Sequence, residues 1–401
     1  MPPMPKKARH SLPADILIAG GGIPGLTLAI LLGQAGIKTA VVDPAPAGKA
    51  PRPDTRTSAL MQDSINIVKA AGAWEGCRKD GGVMEALAIV DGNTQPPIEI
   101  VFRAEEIGQD SFGVNMPNSA LLASLRQKAL KTKNVTLRMS TKLISYEADA
   151  FGVTARLDGA SDMRARVIIG SDGRASKVRE IAGIKTRERD YGQHAITCLI
   201  EHSLDHNNTS TEFHRPSGPF TLVPLPGKTS SVVWVDFDEA ADAFMRMDKK
   251  SFTRALRDRS EGILGEITLQ TPPQSWPLKS LKAARLTAKR AALMAEAAHV
   301  LHPLGAQGLN LSLRDAAALG ETLIEAFHLG QDPGSAAVLS QYESRRRTDI
   351  AARVAGTDAL NRLVSSSSPL FHRLRRAGIK TLDHVTLLRE IAMRHGMSKI
   401  S

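Results

Sequence analysis

The stretch ADILIAGGGIPGLTLAILLGQAGIKTAVVDP, residues 14–44, restricts the fold more than any other part of the chain. The apolar run at 16–19 predicts a strand that is buried on both faces of a parallel sheet. Gly20, Gly22 and Gly25 follow in GxGxxG spacing. These glycines permit a tight turn, a close approach of the backbone to a pyrophosphate, and close packing of helix on strand. The order of features predicts a dinucleotide-binding unit.

The second predicted strand of this unit ends at an acid. Asp43 follows Gly25 by 18 residues, where a carboxylate binds the free 2′-hydroxyl of an adenosine ribose and favours FAD or NAD over NADP. Pro24 suits the first turn of the helix, whose free N–H groups and dipole attract phosphate. The alternative is a tight turn without a ligand, and such a turn would not require Asp43.

Length and composition exclude several other classes of protein. The chain has 401 residues, enough for two or three domains, and a net charge of +11 with only 4% aromatic residues. We find no nucleic-acid motif with stacking residues, no apolar run of about 20 residues that could span a bilayer, and no secretory signal. Cys77 and Cys198 lack metal-binding spacing, which indicates two reduced thiols in a cytoplasmic protein without a metal.

Two further stretches have chemical character. ARVIIGSDGRASKVRE, residues 165–180, predicts a buried strand that ends in Gly-Ser-Asp-Gly and leads into a basic helix. A generic turn explains Asp172 but not Ser176 and Arg179 at this spacing. LMAEAAHVLHPLGAQGLNLSLRDAAAL, residues 293–319, predicts a strand followed by a glycine- and proline-marked loop and a long helix.

In order along the chain, these three motifs resemble those of the FAD-dependent aromatic hydroxylases, the single-component flavoprotein monooxygenases. The resemblance covers nearly the whole chain. Within that family it is strongest toward the ubiquinone-biosynthesis hydroxylases. The stretches that resemble this branch are YGQHAI (191–196), GPFTLVPLP (218–226), WPL (276–278) and the C-terminal helices at 342–363 and 377–397.

The resemblance implies where FAD binds. Asp172 lies near both FAD and the transiently bound NAD(P)H in that family, and Arg56, in PDTRTSAL, lies by the flavin. An acid of the third motif binds the ribityl chain, and the N-terminus of the following helix faces the flavin ring, where it stabilises the negative charge of the reduced state. The predicted cofactor-binding residues are Gly20, Gly22, Gly25, Asp43, Arg56, Asn118, Asp172, Glu296, Gln307, Gly308 and Asn310.

The third motif departs from the usual family pattern at two positions. The family carries Gly-Asp and Gly-Gln where this chain has Ala295-Glu296 and Ala306-Gln307. Each alanine adds a methyl group where the backbone runs close to the cofactor, whereas Glu296 is expected to end a buried strand. His299 and His302 are candidates for a catalytic base, and the alternative is a structural or pocket-lining role.

The resemblance implies a function and its partners. We expect hydroxylation of the aromatic ring of a polyprenylated phenol by O2 through a flavin C4a-hydroperoxide, with NAD(P)H or another donor reducing FAD. The alternatives are a hydroxylase of a soluble phenol and a non-catalytic scaffold subunit of a quinone-synthesis complex. The basic, apolar segment 365–397 predicts peripheral contact with the inner face of the cytoplasmic membrane or with complex subunits, or a helix packed on the FAD domain.

The predicted fold is α/β, with a Rossmann-like FAD-binding domain on a parallel sheet, an inserted mixed or antiparallel substrate-domain sheet, and a helical C-terminus. The FAD domain is expected to be discontinuous. Its predicted parts are 1–75, 113–190 and 285–355, the substrate domain takes 76–112 and 191–284, and the C-terminal helical segment takes 356–401.

Overall fold

The computed structural model describes residues 14–46, 54–92, 98–364, 389, 390 and 393. The strands in this part of the chain are β1 (Ile16–Ala19), β2 (Thr39–Val42), β3 (Thr57–Met61), β4 (Gly82–Met84), β5 (Ala86–Asp91), β6 (Ile98–Arg103), β7 (Gly113–Pro117), β8 (Val135–Arg138), β9 (Lys142–Ala148), β10 (Val153–Asp158), β11 (Met163–Ala165), β12 (Val167–Gly170), β13 (Thr186–His202), β14 (Thr209–His214), β15 (Phe220–Leu225), β16 (Thr229–Phe237), β17 (Ile267–Leu269), β18 (Gln274–Ala283), β19 (Thr287–Ala288), β20 (Ala291–Leu293) and β21 (His299–Val300).

The helices in the described residues are α1 (Ile23–Gln34), α2 (Gln62–Ala70), α3 (Asn118–Lys131), α4 (Lys177–Ile181), α5 (Asp238–Met245), α6 (Lys249–Arg259), α7 (Gln307–His328) and α8 (Ala336–Val364). Short 3-10 turns lie at Trp74–Gly76, Arg78–Asp80, Ala104–Ile107, Ala295–Ala297 and Leu304–Ala306. No helix among the described residues is both long enough and apolar enough to cross a membrane.

A six-stranded sheet has the order β19-β20-β12-β1-β2-β8 and is parallel except for β19. Ala19 stands opposite both Val42 and Gly170, so the loops that follow β1, β2 and β12 leave the same edge of the sheet. The strands of this sheet pack with α1, α7 and α8 in one large apolar core. The predicted parallel sheet of Rossmann type is confirmed, and its carboxyl edge is where such folds bind ligands.

The second large sheet is mixed and has the order β21-β18-β13-β16-β15-β14-β5-β6, with β17 paired to β13. β14 and β5 run parallel, and the other neighbours are antiparallel. On one face Trp234, Phe220 and Phe213 pack with α5 and α6 in an apolar core. The inserted mixed sheet of the predicted fold is therefore confirmed.

Three elements cross the predicted domain boundaries. β13 begins at Thr186 and continues past residue 190. The small sheet β3-β7-β4 combines strands from both predicted domains, and α8 runs unbroken through residue 355. The predicted division stays a prediction, and these elements connect its parts. Of the predicted interfacial segment 365–397, all but residues 389, 390 and 393 lies outside the described residues.

Both cysteines of the chain lie in the interior of the protein. Cys77 and Cys198 are buried free thiols, as predicted, and burial raises their pKa values to about 11 and about 12.

The expectation that Glu296 ends a strand is wrong, because β20 stops at Leu293 and Glu296 lies in the 3-10 turn that follows. The cause is the left-handed backbone of Ala295, with φ of 54°, which an extended strand cannot accommodate.

Candidate active site

The turn after β1 needs glycine at two of its three motif positions. A Cβ atom at Gly20, where φ is 104°, would lie 2.1 Å from the carbonyl oxygen of Ser171. A Cβ atom at Gly25 would lie 2.1 Å from the carbonyl oxygen of Gly20. At Gly22 the closest neighbour of such an atom is Pro24, 4.0 Å away. Gly20 and Gly25 are therefore required by packing, whereas Gly22 leaves open space at the N-terminus of α1.

Asp43 holds this turn in place from the end of β2. Its Oδ2 accepts a hydrogen bond from the Gly21 amide at 2.6 Å, and its Oδ1 accepts one from the Ala45 amide at 2.7 Å. The half-buried carboxylate thus lies at the carboxyl edge of the parallel sheet, beside the glycine turn. A carboxylate has about four lone-pair sites, so capacity remains for a ligand hydroxyl.

Asp172 organises the loop after β12. Its carboxylate accepts hydrogen bonds from Ser176 Oγ at 2.5 Å and from the amides of Lys177 at 2.7 Å and Val178 at 3.2 Å. Ser176 Oγ in turn accepts from the Arg179 amide at 3.0 Å. These bonds satisfy the free N–H groups at the start of α4 and fix the shape of the loop at the sheet edge.

Arg179 joins the second motif to the third. Its Nη1 donates to the carbonyl oxygen of Ala297 at 2.9 Å, and its Nη2 donates to that of Arg174 at 2.5 Å. The spacing of Arg179 marked it as part of a motif, but nothing in the sequence indicated what it contacts. The structure shows that it fastens the loop at 172–176 to the 3-10 turn at 295–297.

The third motif contains three residues with a left-handed backbone. Gly305 has φ of 72°, and Ala295 and Ala306 have φ of 54° and 52°. A left-handed conformation costs an L-residue about 1–2 kcal/mol, which glycine avoids. This geometry accounts for the glycines in the resembled pattern. The first turn of α7 follows directly, and a Cβ atom at Gly308 would meet nothing within 4 Å.

A buried carboxylate, that of Asp315, fixes the strained backbone at Ala295. Asp315 is completely buried and accepts hydrogen bonds from the Ala295 amide at 2.9 Å, from His299 Nε2 at 2.6 Å and from Arg346 Nε at 2.7 Å. Burial alone would raise the pKa of Asp315, but the hydrogen bonds and charges of His299 and Arg346 hold that pKa below its usual value. His299 is therefore occupied as a structural partner in this network.

A second buried carboxylate gathers three guanidinium groups. Asp349 accepts hydrogen bonds from Arg346 Nη1 at 2.8 Å and Arg353 Nε at 2.9 Å, and Arg314 Nε lies 3.3 Å away. Burial and the neighbouring Arg353 lower the pKa of Arg314 to about 10. Arg353 Nη1 donates to Gln307 Oε1 at the start of α7. Sequence reasoning missed these arginines because the contacts that join α7 to α8 depend on how the two helices pack against each other.

Arg56 lies directly before β3 and contacts the mixed sheet. Its guanidinium pairs with Asp54 at 2.8 Å and stacks 4.2 Å above the ring of Trp276 on β18. Its carbonyl oxygen accepts from the Asn118 amide at 3.1 Å, which brings these two predicted cofactor residues together. Burial lowers the pKa of Arg56, but the bond to Asp54 and the charges of Asp54 and Glu296 raise it overall. Trp276 is a site residue whose contact with Arg56 was not predicted.

Two further predicted residues of the third motif, Glu296 and Asn310, differ in their exposure and in their hydrogen bonds to the protein. The half-exposed Glu296 lies 3.8 Å from Arg174 Nε. The buried amide of Asn310 donates to the carbonyl oxygens of Ala59 and Ala306, both at 2.8 Å, and accepts from the Met61 amide at 3.0 Å. Both Nδ2 hydrogens of Asn310 are thus engaged with protein, and they fasten the start of α7 to β3.

His302 is buried beside the mixed sheet. Its Nδ1 accepts from the Leu304 amide at 3.3 Å, so the neutral ring has its proton on Nε2. Nε2 has no hydrogen-bond partner among the described residues. The ring makes an edge-to-face contact with Tyr191, whose hydroxyl donates to Asp358. Burial lowers the pKa of His302 to about 4, against the opposing charges of Glu212 and Asp358.

The residues present fit a flavin dinucleotide. The space in front of Gly22 at the N-terminus of α1 suits a pyrophosphate, and the Asp43 carboxylate beside it has lone-pair sites that could accept from a ribose hydroxyl. At the other end, the open space at Gly308 beside the N-terminus of α7 suits a planar ring such as that of the flavin. No cluster of His, Cys, Asp and Glu among residues 14–46, 54–92 and 98–364 could hold a metal ion.

Comparisons with known proteins agree with this geometry. Residues 13–357 match the family model described as FAD binding domain. The chain is 34% identical to ubiquinone hydroxylase UbiL of Rhodospirillum rubrum over 96% of its length and 90% of the relative's, and 28% identical to 3-demethoxyubiquinol 3-hydroxylase of Escherichia coli over 96% and 98%. The structure of PqsL, a probable FAD-dependent monooxygenase from Pseudomonas aeruginosa, superposes with a TM-score of 0.78 at 24% identity, over 92% and 99% of the two chains.

Proposed function

The chain belongs to the FAD-binding family of flavoprotein monooxygenases that includes the ubiquinone hydroxylases, and from this premise we propose that it hydroxylates the aromatic ring of a ubiquinone precursor. One observation carries the proposal: the three motifs meet at one sheet edge and leave open space at Gly22 and Gly308, in a chain that matches a ubiquinone hydroxylase along almost its full length.

FAD supplies the redox chemistry, since its reduced form activates O2 for transfer of one oxygen atom to an electron-rich ring. The protein binds and orients it. In this proposal Gly20, Gly22 and Gly25 admit the pyrophosphate, and Asp43 and Glu296 accept hydrogen bonds from ribose and ribityl hydroxyls. The further cofactor residues are Arg56, Asn118, Asp172, Gln307, Gly308 and Asn310, with NAD(P)H as the transient reductant.

The histidines take different roles from a catalytic base. His299 is bonded to Asp315 at 2.6 Å and supports the turn at Ala295. His302 carries its proton on the unpartnered Nε2, so it can donate a hydrogen bond but cannot accept a proton there in this tautomer. We assign His302 the role of a buried donor to an oxygen of the substrate ring, where negative charge develops as the phenol reacts.

The substrate in this proposal is a phenol with a polyprenyl chain, the class that the names of the relatives indicate. Such a chain is insoluble in water, so the enzyme meets its substrate at the inner face of the cytoplasmic membrane or within a quinone-synthesis complex. The net charge of +11 favours contact with an anionic membrane surface. Under this proposal the predicted FAD and substrate domains keep their assigned ranges, joined by β13, the β3-β7-β4 sheet and α8.

The test begins with an absorbance spectrum of the purified protein and continues with anaerobic addition of NADH or NADPH. A prenylated phenol is then added with O2, and the product is identified by mass spectrometry. We expect bound flavin, bleaching on reduction, and a product heavier by one oxygen atom. The matched control is Gly22→Val, which blocks the open space at the pyrophosphate position without a backbone clash in the free protein.

Three results would change the proposal. A colourless protein that cannot be reconstituted with FAD would favour a scaffold role. Bound flavin that neither pyridine nucleotide reduces would indicate another electron donor. Equal or faster turnover of a short soluble phenol, compared with its prenylated analogue, would shift the substrate class to soluble phenols.

A further inference from the structure

We propose that the carboxylate of Glu212, on β14 of the mixed sheet, accepts the hydrogen bond of a hydroxyl group on the substrate ring. The inference rests on the proposed function, because the ligand is the ring of the phenol that the protein hydroxylates. Glu212 belongs to none of the three sequence motifs and to none of the predicted cofactor residues. It would give the mixed sheet a side chain that distinguishes a free ring hydroxyl from a blocked one.

Strand register places the Glu212 side chain on the face of the mixed sheet that meets the segment before β3. Glu212 stands opposite Thr221 on β15. Thr221 stands opposite Val233 on β16, which stands opposite Thr197 on β13. Side chains directly opposite each other in neighbouring strands point to the same face. Thr197 identifies this face, because its Oγ1 lies 3.1 Å from Oγ1 of Thr55.

His302 approaches the same face of the sheet. Tyr191 and Val233 pack against one apolar cluster, formed by Ala195, Val235 and Leu278. The ring of Tyr191 in turn contacts the buried ring of His302, with 5.0 Å between the ring centroids. Burial lowers the pKa of His302, and the first opposing cause is the negative charge of Glu212. Glu212 and His302 thus provide an acceptor and a donor around one apolar cluster.

The carboxylate of Glu212 is held in place and keeps capacity for a ligand. Its Oε1 accepts from Nε2 of His214 at 2.7 Å, and its Oε2 accepts from Oγ1 of Thr221 at 3.4 Å. A carboxylate has about four lone-pair sites, so these two bonds leave room for another. The side chain is 22% exposed, so a ligand can reach it.

A phenol has the chemistry that this arrangement requires. Its hydroxyl supplies one O–H donor, and a hydrogen bond to a carboxylate is about twice as strong as one between neutral groups. The apolar side chains of Val233, Val235 and Leu278 suit the body of the ring. The bond polarises the hydroxyl, whose proton stays on the phenol oxygen, and increases electron density on the ring. An electron-rich ring is what oxygen transfer from reduced, O2-activating FAD needs.

The experiment compares a geranylated phenol with its methyl ether, which keeps the ring and the prenyl chain but has no hydroxyl proton. Binding of each to the oxidised, FAD-loaded protein is measured from the change in flavin absorbance. Wild-type protein should bind the phenol about 10- to 100-fold more tightly than the ether, as expected for a hydrogen bond to a charged group. Glu212→Ala should abolish this preference, and Glu212→Gln should reduce it.

The matched control is Glu201→Gln. Glu201 lies on β13 of the same sheet, is exposed, and accepts from Gln270 at 2.6 Å, so its variant should keep the wild-type preference. A purely structural role of Glu212 would weaken the binding of both ligands equally, and the ratio of the two affinities would not change. The ratio therefore separates contact with the hydroxyl from support of the fold.

The inference would be overturned by an unchanged ratio in Glu212→Ala protein that holds FAD, or by wild-type protein that binds both ligands equally well. Should Glu212→Ala fail to fold, Glu212→Gln decides, because its amide oxygen can still accept from His214. An unchanged ratio in that variant would also overturn the inference. Wild-type protein that holds no FAD, or that binds neither ligand, would overturn the proposed function and this inference with it.

Discussion

The turn at 20–25 and the segment at 295–308 approach the same proposed cofactor from opposite ends, and they keep their shapes by different means. The first turn uses glycine where φ is 104° and where the backbone packs within 2.1 Å of an added Cβ atom. The second places alanine at φ values of 54° and 52°, with the Ala295 amide bonded to the buried carboxylate of Asp315 and the Ala306 carbonyl oxygen bonded to Asn310. One conformation is encoded by the turn itself, and the other depends on side chains of the helices α7 and α8.

The difference teaches where each region is vulnerable. A local turn fails when one of its own glycines changes. The segment at 295–308 fails when a partner such as Asp315 or Arg346 is lost, even though neither residue lies within the segment. A strained conformation persists only when its surroundings over-determine it, and here the surroundings are the α7–α8 interface.

The largest expected effect is on the first turn. Gly20→Ala combines a left-handed backbone with a Cβ atom 2.1 Å from the Ser171 carbonyl oxygen, and it should cost roughly 3–5 kcal/mol of unfolding free energy. Urea denaturation of the apoprotein measures this cost. Gly22→Ala is the control and should fold normally. Equal stability of the two variants would contradict local encoding of the turn.

Loss of the central carboxylate should affect the second segment almost as strongly. Asp315→Ala leaves Arg346 and the Ala295 amide without their buried acceptor, and removing one partner of a buried ion pair costs about 3–5 kcal/mol. The control is Glu325→Ala on the same helix, an exposed partner of Arg345, with an expected change below about 0.5 kcal/mol. A small effect of Asp315→Ala in urea denaturation would show that the segment holds itself.

His302 predicts a pH dependence of stability in the second region. Its folded pKa of about 4 lies below the usual value of 6.5, so the unfolded chain binds the proton more readily. The contribution of His302 to the free energy of unfolding is therefore fully present above about pH 6.5, and about 3 kcal/mol of it is lost as the pH drops to 4. His302→Phe should remove this part of the slope, and the exposed His328→Gln should retain it. Parallel slopes for His302→Phe and wild type would refute the assignment.

The smallest expected effect has the opposite sign. Ala295→Gly and Ala306→Gly relieve about 1–2 kcal/mol of left-handed strain each and add about 0.4–1 kcal/mol of unfolded-chain entropy. Each should therefore stabilise the protein by roughly 0.5–1 kcal/mol. Ala318→Gly, within α7, should destabilise it by about 1 kcal/mol. A loss of stability in both loop variants would show that the methyl groups contribute packing that exceeds the strain.

These two regions also show what a sequence can predict. The parallel sheet, the glycine turn and the placement of Asp43 and Asp172 follow from local spacing, and the structure places all of them at one edge. The strand expected to end at Glu296 stops at Leu293, because the Ala295 amide is held by Asp315, twenty residues later. The contacts of Arg346 and Arg353 with α7 could not be predicted from the sequence, since they depend on how α8 packs against α7.

The family resemblance added what spacing alone could not. It favoured FAD over NAD, predicted a substrate-binding role for the mixed sheet, and gave glycine as the usual residue at positions 295 and 306. It did not predict the proton position of His302, which depends on the Leu304 amide at 3.3 Å. Nor did it predict the stacking of Arg56 on Trp276, which requires the segment before β3 to meet β18, far along the chain.

α8 also has a mechanical consequence. Its 29 residues form a rod roughly 44 Å long. Near its start, the hydroxyl of Tyr342 donates a hydrogen bond to the carbonyl oxygen of Leu293, at the end of β20, at 2.9 Å. Near its far end Asp358 accepts from Tyr191 of β13. α8 therefore ties the parallel sheet to the mixed sheet, and the two sheets can separate along this helix only if one of these two hydrogen bonds breaks. A displacement of the mixed sheet at Tyr191 is therefore transmitted to the parallel sheet through α8 itself, and no bound ligand is needed for this coupling.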